Sequence, residues 1–314
     1  MSSETKQFPG VSRDSDQLYS RLATALLEFG ERAKDVYVYS AAYLVTMGVA
    51  QVATVMFALS LPLNPAPVVM ALVVFAVYAG DRITDADADE LSRSGQAAFA
   101  RRHKRLLSVL GAASYGLAIA ISVLGGPVAL GLTLLPGAAW ILYASDWLPQ
   151  VGVYLSRLKD VFVVNSAVVA LAWAVSAVFL PLSFTGHAAT PAALVLFGYF
   201  FVDTFVNVEI PNVRDIESDV AAGVSTLPVV LGVRRTRHVL YALDAGLVAG
   251  IAYAHYIGLL SLVVTVAVLA GLAYAFVMAA AVGRTERYGR LAVSCDMKHV
   301  YVFGAIAALA ALGI

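Results

Sequence analysis

EIPNVRDIESDVAAGVSTLPVVLG, residues 209–232, closes an apolar run with polar side chains that a membrane interior tolerates only when they are partnered. It sets Asn212, Asp215 and Asp219 at i, i+3 and i+7. On a helix these three fall within one stripe roughly 60° wide, so three oxygen-bearing side chains point the same way. A second stretch, DRITDADADE at 81–90, repeats the arrangement with Asp81, Asp85 and Asp89 at i, i+4 and i+8. The rest of the chain reads as what holds the two acidic stripes opposite each other.

Of 314 residues, 60% are hydrophobic and 13% charged, and the mean hydropathy is +0.80. That composition predicts an all-α, polytopic membrane bundle. The formal net charge is zero, so no overall field argues for a nucleic-acid partner. A single cysteine, Cys295, has no intrachain disulfide partner and no zinc-ligand spacing around it. Residues 1–35 are polar, with no apolar core of the signal-peptide kind, and are expected to be retained as a cytoplasmic tail. Within them Leu18, Leu22, Leu26 and Phe29 share one helical face, which fits either an interfacial amphipathic helix or a tail docked on the first span. The remainder, 36–314, reads as one transmembrane domain.

Nine apolar runs follow, at 38–59, 67–80, 106–124, 128–144, 161–182, 192–209, 239–256, 259–282 and 300–314. The second is short and is expected to continue as helix through its aspartates. All 21 Lys and Arg lie in the tail or in the connections after the second, fourth, sixth and eighth runs. The positive-inside rule then puts the N-terminus and both acidic stretches in the cytoplasm and residue 314 outside. About nine transmembrane helices with a cytoplasmic-facing polar cavity is the expected architecture. Matching features on the second and sixth runs suggest a topological repeat of two halves.

Aspartates with no His or Cys beside them select hard cations, and Mg²⁺ binds through one or two carboxylates together with phosphate oxygens of a substrate. Asp81, Asp85, Asp89, Asn212, Asp215 and Asp219 are the candidate ligands, with Asp81, Asp85, Asp215 and Asp219 the candidate catalytic groups. Arg82, Arg157, Lys159 and Arg214 lie close in sequence to these stripes or to the cytoplasmic ends of spans and are suited to meeting phosphate charge.

These residues resemble the UbiA superfamily of intramembrane prenyltransferases over nearly the whole chain after Val38. Asp81-Arg82-Ile83-Thr84-Asp85 matches the DRxxD part of the family's first motif. Asn212, Asp215 and Asp219, followed by Gly223, Thr226, Leu227, Pro228 and Gly232, match its second motif and the turn after it. Lys159 and Asn165 also resemble family positions. Three features depart from the pattern. In the DRxxD register Val77 stands where the family has Asn, an alternative register putting Asp81 there with Asp85 and Asp89 after it; Asn212 stands where Asp is common, and the Arg-Pro element after the first motif is missing.

The resemblance implies a Mg²⁺-dependent enzyme that ionises an isoprenyl diphosphate at the cytoplasmic mouth and transfers the prenyl chain to a lipophilic acceptor. The donor, the acceptor and membrane lipid are the implied partners. Acceptors left open are a quinone precursor, a carotenoid, a tetrapyrrole or a lipid alcohol, and no feature sets an oligomeric state. An allylic cation needs a dry, electron-rich lining, for which Tyr78, Trp173, Phe197, Tyr199, Phe201 and Phe205 are candidates alongside Asn165 and Asp203. Packing is the competing role for each aromatic. Asp203 and Asp244 lie within apolar runs and are expected to face the bundle interior. Pro211 is expected to kink its helix just before the second motif. A membrane terpene cyclase of the same superfamily would use the same metal site, and a transporter would use Asp203 and Asp244.

Overall fold

The structure, a computed structural model, describes residues 24, 28–87, 90, 93–144, 164–221 and 223–313, the side chains of 139–144 and 165 excepted. Every regular element among the described residues is helical. The chain begins with α1 (Glu28–Tyr39) and α2 (Ala42–Ala58), joined by a 65° bend at Ala41, whose φ of 64° is left-handed. α3 (Ala66–Thr84) ends at the first acidic stretch, and α4 (Ser94–Arg102) is a short amphipathic helix after it. α5 (Lys104–Ser122), α6 (Gly126–Ala144), α7 (Val164–Thr185) and α8 (Pro191–Asn212) follow. α9 (Ile216–Ala221) and α10 (Leu227–Leu231) are short, and α11 (Val233–Tyr256), α12 (Leu262–Ala281) and α13 (Tyr288–Ala311) complete the bundle.

Local chemistry fixes these boundaries. Thr190 caps α8 by accepting the Ala193 N–H at 3.2 Å with Pro191 in the first turn, and Ser261 caps α12 through the Val264 N–H at 3.4 Å. Gly258, at φ 77°, ends α11 by turning left-handed where a side chain would be strained.

Seven helical stretches among the described residues are long and apolar enough to cross a membrane, or eight if the bent pair of α1 and α2 is one span. One of the seven, Lys104–Ala138, runs through the turn between α5 and α6. The two helices fold back on each other there, because Tyr115 of α5 donates to the carbonyls of Thr133 and Leu134 on α6 at 3.3 and 3.1 Å. The expected count of about nine depends on dividing that stretch; length and apolarity as they stand support seven to eight. A belt of fully apolar exposed side chains, among them Val109, Leu117, Leu124, Leu171, Val266 and Val277, meets the surrounding medium. The chain is an integral, multi-pass membrane protein.

α2 packs on α3 and α7, α3 on α5, α7 on α8, α8 on α11, and α12 on α13, while α13 returns to α2 and α8 and so closes the bundle. Lipid tails are as apolar as the helix surfaces, so close backbone approach and polar contacts hold such a bundle together. At Gly271 a Cβ would come within 2.4 Å of Val302, so the glycine lets α12 and α13 meet. The strongest polar contact lies between α8 and α13. Lys298 Nζ stands 2.6 Å from Asp203 and His299 Nε2 stands 3.0 Å from its other oxygen, with all three side chains at most 2% exposed.

α13 corrects the reading of the last span. Its helix starts twelve residues before the apolar run at 300, so Asp296 and Lys298, assigned above to a cytoplasmic connection, are inside the helix. Asp203 provides the compensating charge that makes the burial of Lys298 tolerable.

Removing one partner of this pair leaves an unmatched charge in the bundle. Lys298→Met is expected to lower stability by about 3–5 kcal/mol, and Asp203→Leu/Lys298→Met to recover most of that loss. Thermal unfolding of the detergent-solubilised variants measures both, and a double variant no more stable than the single would contradict the pairing.

Candidate active site

The two acidic stretches end α3 and α8, and neither continues as one unbroken helical stripe. α3 carries Asp81 and stops at Asp85, whose N–H is donated to the Asp81 carbonyl at 2.9 Å. Thr84 contributes to that ending by donating its hydroxyl back to the Gly80 and Asp81 carbonyls. Asp89 lies outside the described residues, as do Arg157 and Lys159, and the side chain of Asn165. Asp81 is half-buried and Asp85 exposed.

In the second stretch the chain breaks between α8 and α9. Pro211 has no N–H to give the helix, Asn212 is the last residue of α8, and a turn leads to Ile216. Asp215 therefore stands in the turn and Asp219 in the next short helix. Gly223, at φ 73°, closes α9: its own N–H reaches the Val220 carbonyl at 3.2 Å and the Val224 N–H reaches the Asp219 carbonyl at 2.8 Å. This left-handed glycine cap turns the chain back toward Thr226. Thr226 then donates its hydroxyl to Asp219 at 3.2 Å, so the spacing from Asp219 to the Thr-Leu-Pro turn is a direct contact.

Glu209 fastens this whole loop to the bundle. Its carboxylate, 0% exposed, accepts the Leu227 N–H at 3.2 Å and the Asn212 side-chain amide at 3.2 Å. Asn212 also reaches Ser166 on α7 at 3.4 Å. Asn212 is thus engaged with Glu209 and Ser166.

A residue that the sequence reading did not single out joins the two loops. Arg93, just before α4, places a guanidinium nitrogen 3.0 Å from Asp215. Arg214 holds the same carboxylate with a fork, at 2.6 and 2.7 Å. Burial pushes the Asp215 carboxyl up, but Arg214 and Arg93 outweigh it and hold the group below its ordinary range. Asp219 moves the other way: burial and the neighbouring Asp215 charge raise it, against the Thr226 hydroxyl and Arg93. Arg82 is 5% exposed and donates to the Tyr39 carbonyl at 3.2 Å, tying the first loop to the bend between α1 and α2.

Beneath the loops, Trp173 donates its indole N–H to the Tyr78 hydroxyl at 3.2 Å, with ring centroids 6.2 Å apart. Both lie in the region where α2, α3 and α7 meet. Tyr199 is packed in the apolar core, its ring 4.9 Å from that of Phe200. Phe205 packs with Ala170 and Leu227 under α10, and Phe197 stacks on Phe201 at 6.4 Å. Asp203 is held by Lys298 and His299. Val77 faces a pocket of about 330 Å³ between α3, α5 and α6, which it shares with Gly80, Thr84 and Tyr115. Among the described residues no group of three or more His, Cys, Asp or Glu side chains is placed to hold a metal ion by itself.

The arrangement is a helical membrane bundle whose two acidic loops are tied together through Arg93 and Asp215. The chain belongs to the UbiA prenyltransferase family, whose model matches residues 41–302. It is similar to the digeranylgeranylglyceryl phosphate synthase of Methanoculleus marisnigri, 27% identical over 197 residues, which are 60% of this chain and 64% of that one. The match thus spans about 64% of that relative's length. The apo structure of a UbiA homologue from Aeropyrum pernix shares the fold with a TM-score of 0.61 at 17% identity, over 86% of this chain and 98% of that chain. A UbiA homologue from Archaeoglobus fulgidus bound to GPP and Mg²⁺ gives a TM-score of 0.59 at 18% identity, over 87% and 99% of the two chains.

The Arg93 contact predicts how the mouth responds to substitution and to acid. Arg93→Gln is expected to speed amide hydrogen exchange in residues 212–224 at neutral pH. Asp215 is depressed in the folded protein, so its tether is present above the ordinary aspartate range and is lost as pH falls through its lowered value. Exchange in wild type, corrected for its intrinsic pH dependence, should stay constant from about pH 7 to 5 and rise only below about 4. Equal protection in wild type and Arg93→Gln would show that the two loops are not joined through this pair.

Proposed function

We propose that the protein is an intramembrane, Mg²⁺-dependent prenyltransferase that ionises an isoprenyl diphosphate between its two acidic loops and passes the prenyl chain to a lipophilic acceptor. The observation that carries this reading is the Arg93–Asp215 contact, which brings the end of the first acidic stretch onto the second. Family membership supplies the reaction class.

The donor set fits a hard divalent cation. Asp81, Asp85, Asp215 and Asp219 offer carboxylate oxygens without sulfur or imidazole beside them, and fewer than three converging protein ligands is what Mg²⁺ needs when phosphate oxygens complete its shell. Bound there, Mg²⁺ supplies charge to the diphosphate as it leaves. A dication and one phosphate charge about 4 Å apart attract by roughly 8 kcal/mol at an effective dielectric of 20, before desolvation is counted. Among this chain's own groups, Arg82, Arg93 and Arg214 are among the cations described around the loops, with Arg157 and Lys159 as further candidates. As the diphosphate takes the electron pair of the breaking carbon–oxygen bond, these guanidinium groups stabilise the added charge. Asp215 is held as a carboxylate by its arginines, while Asp219 keeps its orientation through Thr226. Tyr78 and Trp173 sit where the allylic carbon would enter the bundle, and their hydrogen bond fixes the ring faces that a cation would meet.

Residues 36–314 act as a single unit in this reading, with the mouth on the cytoplasmic side where the Lys and Arg residues concentrate. Among acceptors, the Methanoculleus relative's name favours a lipid alcohol of the glyceryl phosphate type as the first to try.

With purified protein, geranylgeranyl diphosphate and Mg²⁺, diphosphate release is expected and should stop on chelation. Asp85→Ala, Asp215→Ala and Asp219→Ala should each lower it at least about 100-fold without loss of fold. Wild-type turnover in any of the three would remove that residue from the mechanism, and metal-independent release would overturn the reading.

A further inference from the structure

Below the mouth, α8 and α13 carry polar side chains that the ionisation step does not use. Lys298, 1% exposed and paired with Asp203, also donates to the Asn207 side-chain carbonyl oxygen at 2.9 Å. A lysine ammonium has donors only, so it dictates which way the Asn207 amide points. The amide nitrogen of Asn207 is thereby turned toward Asp296, whose carboxylate oxygen lies 3.5 Å away. Asp203, Lys298 and Asn207 are buried, whereas Asp296 at the end of the series is only partly so.

Asp296 also has neighbours on α2 and α3. It lies close enough to interact electrostatically with Tyr43 of α2 and Tyr78 of α3. Tyr43 in turn shares a hydrogen bond with Arg82 of the first acidic stretch. Tyr78 is the partner of Trp173. Asp296, held by the Asn207 amide, therefore lies in the same region as Tyr78 of the aromatic pair and the Tyr43–Arg82 contact.

We propose that Asp296 binds the hydroxyl of the acceptor and takes its proton, with Asn207, Lys298 and Asp203 as positioning residues. This rests on the prenyl-transfer reading above and adds the acceptor side of the same site. The bond between the prenyl carbon and diphosphate breaks with its electron pair leaving on the diphosphate. A lone pair on the acceptor oxygen forms the new carbon–oxygen bond, and the proton of that oxygen passes to the Asp296 carboxylate. The acceptor class is a lipid bearing a free hydroxyl, whose O–H meets a carboxylate at this place; Asp203, Glu209 and Asp244 are sealed at 0% exposure, whereas Asp296 is partly accessible.

Two measurements on the full-length protein test it. In lipid nanodiscs with geranylgeranyl diphosphate, Mg²⁺ and geranylgeranylglyceryl phosphate, Asp296→Asn is expected to lower kcat for ether formation about 10²–10⁴-fold, with the KM for the diphosphate little changed. Asp296→Glu should regain part of the loss, and Asn207→Leu should lower kcat with the same split. Separately, a hydrophobic carbodiimide followed by peptide mapping should modify Asp296 and leave the sealed Asp203 untouched. Wild-type kcat in Asp296→Asn, or Asp296 as unreactive as Asp203, overturns the assignment. Absence of diphosphate release from wild type would instead fail the prenyl-transfer reading, and the carbodiimide result would still decide whether Asp296 faces an accessible interior.

Discussion

A carboxylate sealed inside a membrane bundle must be matched, and α8 carries two of them. Asp203 is matched by an ammonium and an imidazole from α13. Glu209 is matched by a backbone N–H from the Thr-Leu-Pro turn and by the Asn212 amide. The first match draws the last helix of the chain onto α8, and the second pins the loop that carries Asp215 and Asp219. An unpaired buried charge costs several kcal/mol, more than the contacts between apolar helices in lipid return, so these partners set which helices are neighbours. The mouth is built outward from that frame, with Arg93 linking its two sides.

The mouth and the interior network are different electrostatic problems. At the loops, carboxylates stand near several guanidinium groups and remain partly accessible, which suits the exchange of protein contacts for those of an anionic ligand. Inside, Asp203, Lys298 and Asn207 hold one another with fixed geometry, and the series leaves little freedom at its end. One region is suited to receiving charge and the other to orienting a neutral polar group. A reaction that separates a diphosphate from a prenyl carbon and then joins that carbon to an oxygen needs both.

Much of this was legible in the residues. The apolar runs marked the spans, and the two acidic stretches, with Gly223, Thr226, Leu227, Pro228 and Gly232 after the second, pointed to the family. What escaped was set by partners distant in sequence. Asp215 and Asp219 share a helical spacing, yet Pro211 and the cap at Gly223 put them on a turn and a separate short helix. Asp85 ends α3 rather than extending its stripe. Asp296, Lys298 and His299 depress the apolarity of any window around them, so the last span was read as starting at 300; Asp203, some ninety residues earlier, is the partner that holds Lys298 and His299 inside. Arg93 looked like one of several loop cations, and no local pattern separates it from Arg101 or Arg102. Tyr199 and Phe205, read as possible lining, have the same helical spacing as core aromatics, and both pack in apolar clusters.

The central claim is that the two acidic loops form one site for a metal-bound diphosphate. The most direct test is to determine the structure with Mn²⁺ and a thiolodiphosphate analogue of geranylgeranyl diphosphate, using the anomalous signal of manganese to place the ion. The account predicts metal between the carboxylates of Asp81 or Asp85 and those of Asp215 or Asp219, with phosphate oxygens completing its shell and Arg93 turned toward the diphosphate. Manganese bound to one loop alone, or a diphosphate seated elsewhere in the bundle, would contradict it.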